Sequence, residues 1–254
     1  MELMVGLAIG MLVVVAAVGS LAFTQMTATT MGDSARLQQK AASAFRALGF
    51  QLRQTGGVAL NQTLVGAVRF SSNFDGYGGG GLALGGVEGP AGAPDTLNIS
   101  YEDDGASRDC LGAVPPAPVP PRLRSRIDSQ FSVNTGSLMC LGNGSATPQA
   151  IIDGVEDFQV TYGVRTVLMP APPLAAPALR VPDIATYQQF TAAAVAFNTV
   201  QSVTVCLQLR GDFTSDSPRG AIGGIIGCNG LAVPGDGFIR RVYRQSFNLR
   251  SVVL

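Results

Sequence analysis

Side chains that could carry out catalytic or metal chemistry are scarce in this sequence of 254 residues. It contains no histidine, which excludes a Ser-His-Asp triad, a Cys-His dyad and any histidine-ligated metal site. Lysine plus arginine number 17 and aspartate plus glutamate number 17, so no net basic charge favours nucleic acid. We therefore expect no enzyme activity, no catalytic residues, no cofactor and no direct nucleic-acid partner.

Two acidic clusters are the remaining candidates for site chemistry. The loop residues 102–104, together with Asp109, could bind calcium through closely spaced oxygens, but their spacing does not match an EF-hand. We interpret them as solvated loop charges. Asp153, Glu156 and Asp157 precede a predicted strand and are interpreted as strand-edge charges. Neither cluster identifies a catalytic carboxylate pair, and we predict no metal site.

The four cysteines are Cys110, Cys140, Cys206 and Cys228, and no two are close enough for a CxxC redox or zinc motif. In an exported protein, four separated cysteines indicate two disulfides. Three connectivities are possible. We prefer Cys110–Cys140 and Cys206–Cys228 because each pair closes a compact loop. The alternative is four free, buried thiols, as in a cytosolic domain.

The N-terminal run from Leu3 to Phe23 is 21 residues long and carries no charge. As a helix it would measure about 31 Å, the thickness of a bilayer hydrocarbon core. A cleaved secretory signal would need basic residues before Leu3, and there are none. The nearest basic residues all follow the run: Arg36, Lys40, Arg46 and Arg53. The positive-inside rule would then keep the rest of the chain in the cytoplasm, whereas the cysteines favour export; a short basic leader before residue 1 would remove this conflict.

The helix is predicted to continue beyond the apolar run. Apolar residues recur at steps of three and four and form an amphipathic stripe: Leu37, Ala41, Ala44, Phe45, Leu48 and Leu52. Gly56 and Gly57 are suited to end the helix, because glycine accepts the left-handed conformation. Between the two halves, Thr27–Asp33 contains β-branched residues and a glycine, which predicts a bend or a locally melted turn.

After Gly57 the helical periodicity gives way to short alternating runs. Antiparallel strands are predicted at 96–101, 158–162, 200–210 and 238–250. A short helix is predicted within Val181–Phe197, with its best part at 192–196. Low-complexity loops are predicted at 76–86, 114–121 and 170–177.

These elements predict an α+β fold, with a long N-terminal α-helix packed on an antiparallel β-sheet domain that has long loops. The helix has an apolar first half and an amphipathic second half. We divide the chain into a transmembrane or filament-core half of the helix at 1–25, an amphipathic half at 26–56 and a β-rich exported domain at 57–254.

The first residues, Met1 to Val5 followed by the apolar run, resemble the start of a type IV pilin. The resemblance implies that Glu2 is the family's conserved glutamate, which pairs with the terminal amine of a neighbouring subunit and selects helix register. It also implies that a leader upstream of this sequence is removed by a prepilin peptidase and that the new N-terminus is methylated. A carboxylate at this position also suits the positive end of the helix dipole.

Motifs along the rest of the chain resemble PilW-type minor pilins. In order, they lie at 94–97, 109–112, 138–140, 152–163, 200–210 and 240–250. The resemblance implies a minor subunit of a Gram-negative type IV pilus, with major and minor pilins as partners. Such a subunit would sit in the inner membrane with a periplasmic domain and then enter the filament, helping initiation or standing near the tip. The alternatives are a minor pseudopilin of type II secretion and a membrane-anchored binding domain or adhesin that never polymerises.

Overall fold

The computed structural model describes residues 2–58, 60–62, 68–70, 82–118, 124–167, 185–214, 225–233 and 235–249. These residues form one long helix, two short 3-10 turns and three antiparallel sheets. The helix lies against the two larger sheets, which share a single hydrophobic core. The predicted α+β class, with a long N-terminal helix on antiparallel sheets, is confirmed.

The helix, α1 (Glu2–Gln54), is continuous through both of its halves. Helical hydrogen bonding runs through Thr27–Asp33, so the predicted melted turn is absent. Threonine and glycine are less favourable in a helix than alanine by about 1 kcal/mol per residue or less. The helix-forming residues on both sides of this segment outweigh that cost. As predicted, α1 stops at the glycine pair: Gly56 has a φ of 69°, and the Gly57 N–H donates to the Gln54 carbonyl at 2.8 Å.

The strands form antiparallel sheets of two, five and four strands, with the orders β1-β2, β3-β4-β5-β6-β7 and β11-β10-β8-β9. Their bounds are β1 (Leu60–Gln62), β2 (Val68–Phe70), β3 (Leu84–Val87), β4 (Thr96–Glu102), β5 (Arg126–Asn134), β6 (Ser137–Gly142), β7 (Gln149–Asp153), β8 (Val155–Val167), β9 (Ala185–Phe190), β10 (Val200–Thr214) and β11 (Phe238–Asn248). β7 and β8 are separated only by Gly154, whose φ of 74° lets the chain pass from one large sheet to the other.

The four predicted strands correspond to β4, β8, β10 and β11. Alternation is clearest in β10, where Val203, Val205, Leu207 and Leu209 are fully buried on one face. The helix predicted within Val181–Phe197 is wrong for the part that the structure describes. Residues 185–190 form β9, because pairing with β8 outweighs their local propensity. The alanine-rich part at 192–196 contains only a turn, with the Ala194 N–H donating to the Thr191 carbonyl at 3.1 Å.

The amphipathic stripe of α1 forms one wall of the core, as predicted. All six stripe residues are 9% exposed or less: Leu37, Ala41, Ala44, Phe45, Leu48 and Leu52. They pack in the same cluster as side chains from both large sheets. The second half of α1 therefore holds the two sheets together as well as connecting them to the N-terminal segment.

Both disulfides join a loop to a strand. Cys110, in the loop after β4, pairs with Cys140 on β6, with Cα atoms 6.3 Å apart. Cys228, in the loop before β11, pairs with Cys206 on β10, with Cα atoms 5.6 Å apart. No cysteine is left free. These are the pairs that the sequence analysis preferred.

Candidate functional site: an exposed apolar helix on a braced domain

The first half of α1 is apolar and is not buried by the rest of the described chain. Residues Met4–Gln25 are long and apolar enough to cross a membrane, and none of that window is buried. Their 22 residues span about 33 Å as a helix. Val14, near the middle, is 61% exposed and Phe23 is 73% exposed. An apolar surface of this length requires lipid or other apolar helices around it.

Glu2 is the first residue of α1, but its side chain lies outside the described part of the structure. Its backbone position at the helix N-terminus is the position in which a carboxylate is favoured by the helix dipole. Its role in helix register remains a prediction.

The second half of α1 approaches the edge strand β11 closely through a glycine. A Cβ atom at Gly49 would stand 2.6 Å from the Cε1 atom of Phe247. The Phe247 ring also packs against Phe45, with ring centroids 6.4 Å apart. The absence of a side chain at Gly49 therefore sets how closely the helix and the sheet can pack.

Polar contacts fix α1 near both ends of its packed half. Near the start, Asp33 is 2% exposed and its Oδ1 accepts the N–H of Asp212, on β10, at 3.4 Å. About two turns later, the Lys40 ammonium pairs with the Asp153 carboxylate at 3.1 Å. These contacts hold α1 at a defined position along the sheets, so the exposed half leaves the domain in a defined direction.

A buried hydrogen-bond network holds the end of α1. The Tyr101 hydroxyl lies 3.0 Å from the Gln51 Oε1 atom and 2.7 Å from the Arg108 carbonyl oxygen. Ser129 donates to the same Gln51 oxygen at 3.2 Å. Burial raises the pKa of the Tyr101 phenol well above its ordinary value, so the group remains a neutral hydrogen-bond donor. The network ties the helix to the five-stranded sheet and to the loop that carries Cys110.

That loop is shaped by the carboxylate of Asp109, which is 3% exposed. Its Oδ1 accepts the N–H groups of Leu111 at 2.9 Å and Ala113 at 2.8 Å. Its Oδ2 accepts the N–H of Gly144 at 3.1 Å. The carboxylate thus joins two loops beside the Cys110–Cys140 disulfide, and the motif at 109–112 has a structural function.

Asp95, in the motif at 94–97, joins the two large sheets. Its carboxylate accepts the N–H of Gly89 at 2.8 Å and the N–H of Val160, on β8, at 2.8 Å. Burial raises the pKa of Asp95, although these two hydrogen bonds act in the opposite direction. The acidic residue of this motif is therefore a brace between β4 and β8.

Asp157 and Glu156 are not the strand-edge charges that the sequence suggested. Asp157 is 5% exposed, and its Oδ2 accepts the N–H of Asn229, in the Cys228 loop, at 3.1 Å. Glu156 lies in β8, inside the four-stranded sheet. Both were misassigned because the strand extends past them and the Cys228 loop folds back over the sheet.

Glu156 belongs to an ion-pair network across three strands. Its carboxylate accepts two hydrogen bonds from Arg240, on β11, at 2.6 and 2.9 Å, and one from Gln208, on β10, at 3.0 Å. Asp236 contacts the other side of the Arg240 guanidinium. Burial raises the pKa of the Glu156 carboxyl, but the bonds from Arg240 and Gln208 outweigh it and hold the pKa below its ordinary value of 4.5. The network closes the end of the β10–β11 pair.

This network predicts an acid-sensitive contribution to stability. Because the pKa of Glu156 is depressed in the folded protein, the unfolded chain takes up the proton at the higher pH. The contribution is therefore present above about pH 4.5 and is lost as the pH falls through the folded pKa. Urea unfolding at several pH values is expected to show that Glu156→Gln flattens this decline. The exposed Asp212→Asn serves as the matched control; a decline of equal steepness in wild type and Glu156→Gln would contradict the prediction.

The remaining sequence candidates carry no site in the described structure. Asp103 accepts the N–H of Gly105 at 2.8 Å, and Asp104 accepts the N–H of Ser107 at 2.8 Å, so both carboxylates stabilise their own turn. Among the described residues, no group of three or more potential metal ligands comes together. The loop predicted at 170–177 lies outside the described residues, as do 76–81 and 119–121 of the other two predicted loops. Within the loop predicted at 76–86, residues 84–86 instead belong to β3, because they pair with β4.

Gln51 and Asp33 were missed by the sequence analysis, although a signal for both was present. Each lies on the apolar stripe of α1, three residues after Leu48 and four before Leu37, respectively. A polar residue on the buried face of a helix needs a partner. That rule identifies the two positions, but it does not say which strand supplies the partner.

One family model matches part of this chain. The family model of PilW, the type IV pilus-assembly protein W, matches residues 127–251, which is just under half of the chain. A type IV-like pilin from Thermus thermophilus is similar in structure, with 12% sequence identity and a TM-score of 0.43, covering 84% of this chain and 97% of that chain. No curated protein matches this chain in sequence. The predicted resemblance to PilW-type pilins is confirmed over the matched residues.

Proposed function

We propose that this protein, a type IV pilus-related pilin whose residues 127–251 match the PilW family, is a minor subunit that takes part in pilus assembly. Its role is packing: the apolar half of α1 leaves the inner membrane and joins the helices of other major and minor pilins in the filament. We place this role in initiation or at the filament tip of a Gram-negative bacterium. Removal of an upstream leader by a prepilin peptidase would precede assembly.

The observation that supports this proposal is the continuity of α1. A predominantly apolar segment of 22 residues, none of them buried, continues without a break into a half that both large sheets bury. A simple membrane tether would not need such a connection, because a flexible linker would anchor the domain equally well. A rigid connection instead fixes the orientation of the β domain relative to a bundle of helices.

Glu2 is the residue proposed to set the register of that bundle. In lipid or among apolar helices, a carboxylate is stable only if a partner of opposite charge accompanies it. The terminal amine of a neighbouring subunit would be such a partner. Breaking a buried ion pair by removing one member costs about 3–5 kcal/mol, because the other charge is left uncompensated.

The test compares Glu2→Gln with Glu2→Asp in cells that lack the wild-type protein. The glutamine variant keeps the size of the side chain but loses the charge, and we expect it to be largely absent from sheared filaments. The aspartate variant keeps the charge and is expected to be retained in part. Equal amounts of the glutamine variant and the wild type in filaments would overturn the role of Glu2. Normal pili together with blocked export of secreted proteins in cells without this chain would instead favour a pseudopilin.

A further inference from the structure

Two Asn-Gly sequences occur in the chain, at Asn143–Gly144 and Asn229–Gly230. In such a pair the backbone nitrogen of glycine can attack the side-chain carbonyl carbon of asparagine, since no Cβ atom hinders the approach. The two pairs share the Asn-Gly dipeptide but have different neighbours, Gly142 and Ser145 in one and Cys228 and Leu231 in the other. The unfolded chain is therefore the reference for any effect of the fold.

At Asn143 the fold opposes the attack at several atoms. The side-chain amide donates to the Arg126 carbonyl at 2.6 Å, and the side-chain oxygen accepts the Asp128 N–H at 3.1 Å. The attacking nitrogen, that of Gly144, donates to the buried Asp109 carboxylate at 3.1 Å. Gly144 is also enclosed, with the Val114 carbonyl oxygen 2.5 Å from the position that a Cβ would take. Ring closure here requires breaking these bonds and moving two loops.

At Asn229 these restraints are weak. The side chain is exposed, and its amide reaches the Gly92 carbonyl at only 3.4 Å. The Gly230 N–H makes a long contact of 3.3 Å with the Gly227 carbonyl. Nothing lies within 4 Å of the position that a Cβ would take at Gly230, so the backbone has room to rotate.

The side-chain oxygens do not distinguish the two sites. Asn229 Oδ1 accepts the Leu231 N–H at 3.0 Å, and Asn143 Oδ1 accepts the Asp128 N–H at 3.1 Å. In both cases the donor stands where negative charge would develop in the tetrahedral intermediate. The two sites differ in the hydrogen bonds of the attacking glycine nitrogen and of the side-chain amide nitrogen that leaves as ammonia.

We propose that Asn229 is a site of spontaneous deamidation in the folded protein and that Asn143 is protected from it. The Gly230 nitrogen loses its proton to solvent base and forms a bond to the Asn229 side-chain carbon. The C–N bond of the amide then breaks and ammonia leaves with a proton from water, which gives a succinimide. Water opens the succinimide at either carbonyl and yields aspartate or isoaspartate. The reaction involves no oxidation or reduction.

The product changes the contacts of the Cys228 loop. The amide that donates to the Gly92 carbonyl becomes a carboxylate, which repels that oxygen. The new charge also lies on the residue whose own backbone N–H donates to the Asp157 carboxylate. We therefore expect the loop 225–233 to be held less firmly to the turn at Gly92 after conversion, while the Cys206–Cys228 disulfide keeps it attached to β10.

Peptide mapping by mass spectrometry tests the proposal. The full chain, purified in detergent with its disulfides intact, is incubated at mildly alkaline pH and sampled over time in water enriched in oxygen-18. The label marks conversions that occur during the incubation. The amide and the attacking nitrogen at Asn143 must give up bonds of 2.6 and 3.1 Å, the second to a carboxylate, whereas those at Asn229 have only contacts of 3.4 and 3.3 Å. We therefore expect Asn229 to convert roughly 10 to 100 times faster than Asn143.

The same chain, unfolded in denaturant with its disulfides reduced, is the matched control. There the two Asn-Gly pairs are expected to convert at similar rates, because the glycine after each asparagine leaves the attack equally unhindered. Equal rates in the folded protein, faster conversion at Asn143, or protection of both sites in the folded protein would each overturn the proposal. A large difference that persists in the unfolded chain would also overturn it, since the cause would then be local sequence.

Discussion

Replacing Val14 with arginine is expected to remove this protein from membranes and filaments while its β domain stays folded. Val14 lies near the middle of Met4–Gln25 and is 61% exposed, so the substitution disturbs no contact in the domain. An arginine at the centre of a membrane helix costs about 2.5–3.5 kcal/mol, a factor of roughly 100 in partitioning. A bundle of apolar helices would be equally unable to pair the charge. Membrane fractionation and immunoblots of sheared filaments measure the two losses.

Two matched variants separate this effect from a general effect of substitution. Val14→Leu keeps the apolar character and is expected to behave as wild type. Ala35→Arg introduces the same charge at an exposed position on the packed half of α1, and we expect it to be retained. If Val14→Arg entered filaments in wild-type amounts, packing of this half-helix could not be the basis of assembly.

Removing the Cys206–Cys228 disulfide by a double change to serine is expected to cause a large loss of domain stability. The bond closes a loop with a sequence separation of 22 residues. The chain-entropy model assigns about 3–4 kcal/mol to a loop of this size, which corresponds to a fall in Tm of roughly 6–16 °C. The disulfide also holds the loop that contacts Asp157 through Asn229. Thermal and urea unfolding followed by circular dichroism measure the change.

The wild-type protein in reductant is the natural control for the serine variant. Adding reductant is expected to destabilise the wild type further than the variant, because the wild type has two disulfides to lose and the variant has one. Mass spectrometry without reduction is expected to find no free thiol in the wild type. An unchanged free energy of unfolding in the serine variant would show that the loop is fixed by its hydrogen bonds alone.

Much of the helix could be read from the sequence because its signals are local. The apolar run, the stripe from Leu37 to Leu52 and the glycine pair after it each depend on residues within a few turns of one another. The same applies to β10, where alternation of four aliphatic residues identifies the buried face. The pairing of the cysteines was a preference among three possibilities, and it rested on loop length rather than on geometry.

The buried polar contacts that join the sheets could not be predicted from local sequence patterns. Asp95 and Val160 are 65 positions apart, and Glu156 and Arg240 are 84 apart. Nothing in a window of ordinary length indicates that these residues meet. For that reason the local pattern predicts edge charges at Glu156 and Asp157. It also predicts a helix that includes residues of β9, although these residues pair with β8.

The sequence by itself determined that a long apolar helix leads into a β-rich domain. It also determined that the chain has four cysteines, enough for two disulfides, and no histidine for catalysis or metal binding. Periodicity and composition are properties of neighbouring residues, and they survive without a fold. Only the tertiary structure decided where the helix sits on the two sheets, which carboxylates became buried braces, and why one Asn-Gly pair is enclosed while the other is open. Those outcomes depend on burial and on contacts between distant segments, which exist only once the sheets have paired and the helix has packed against them.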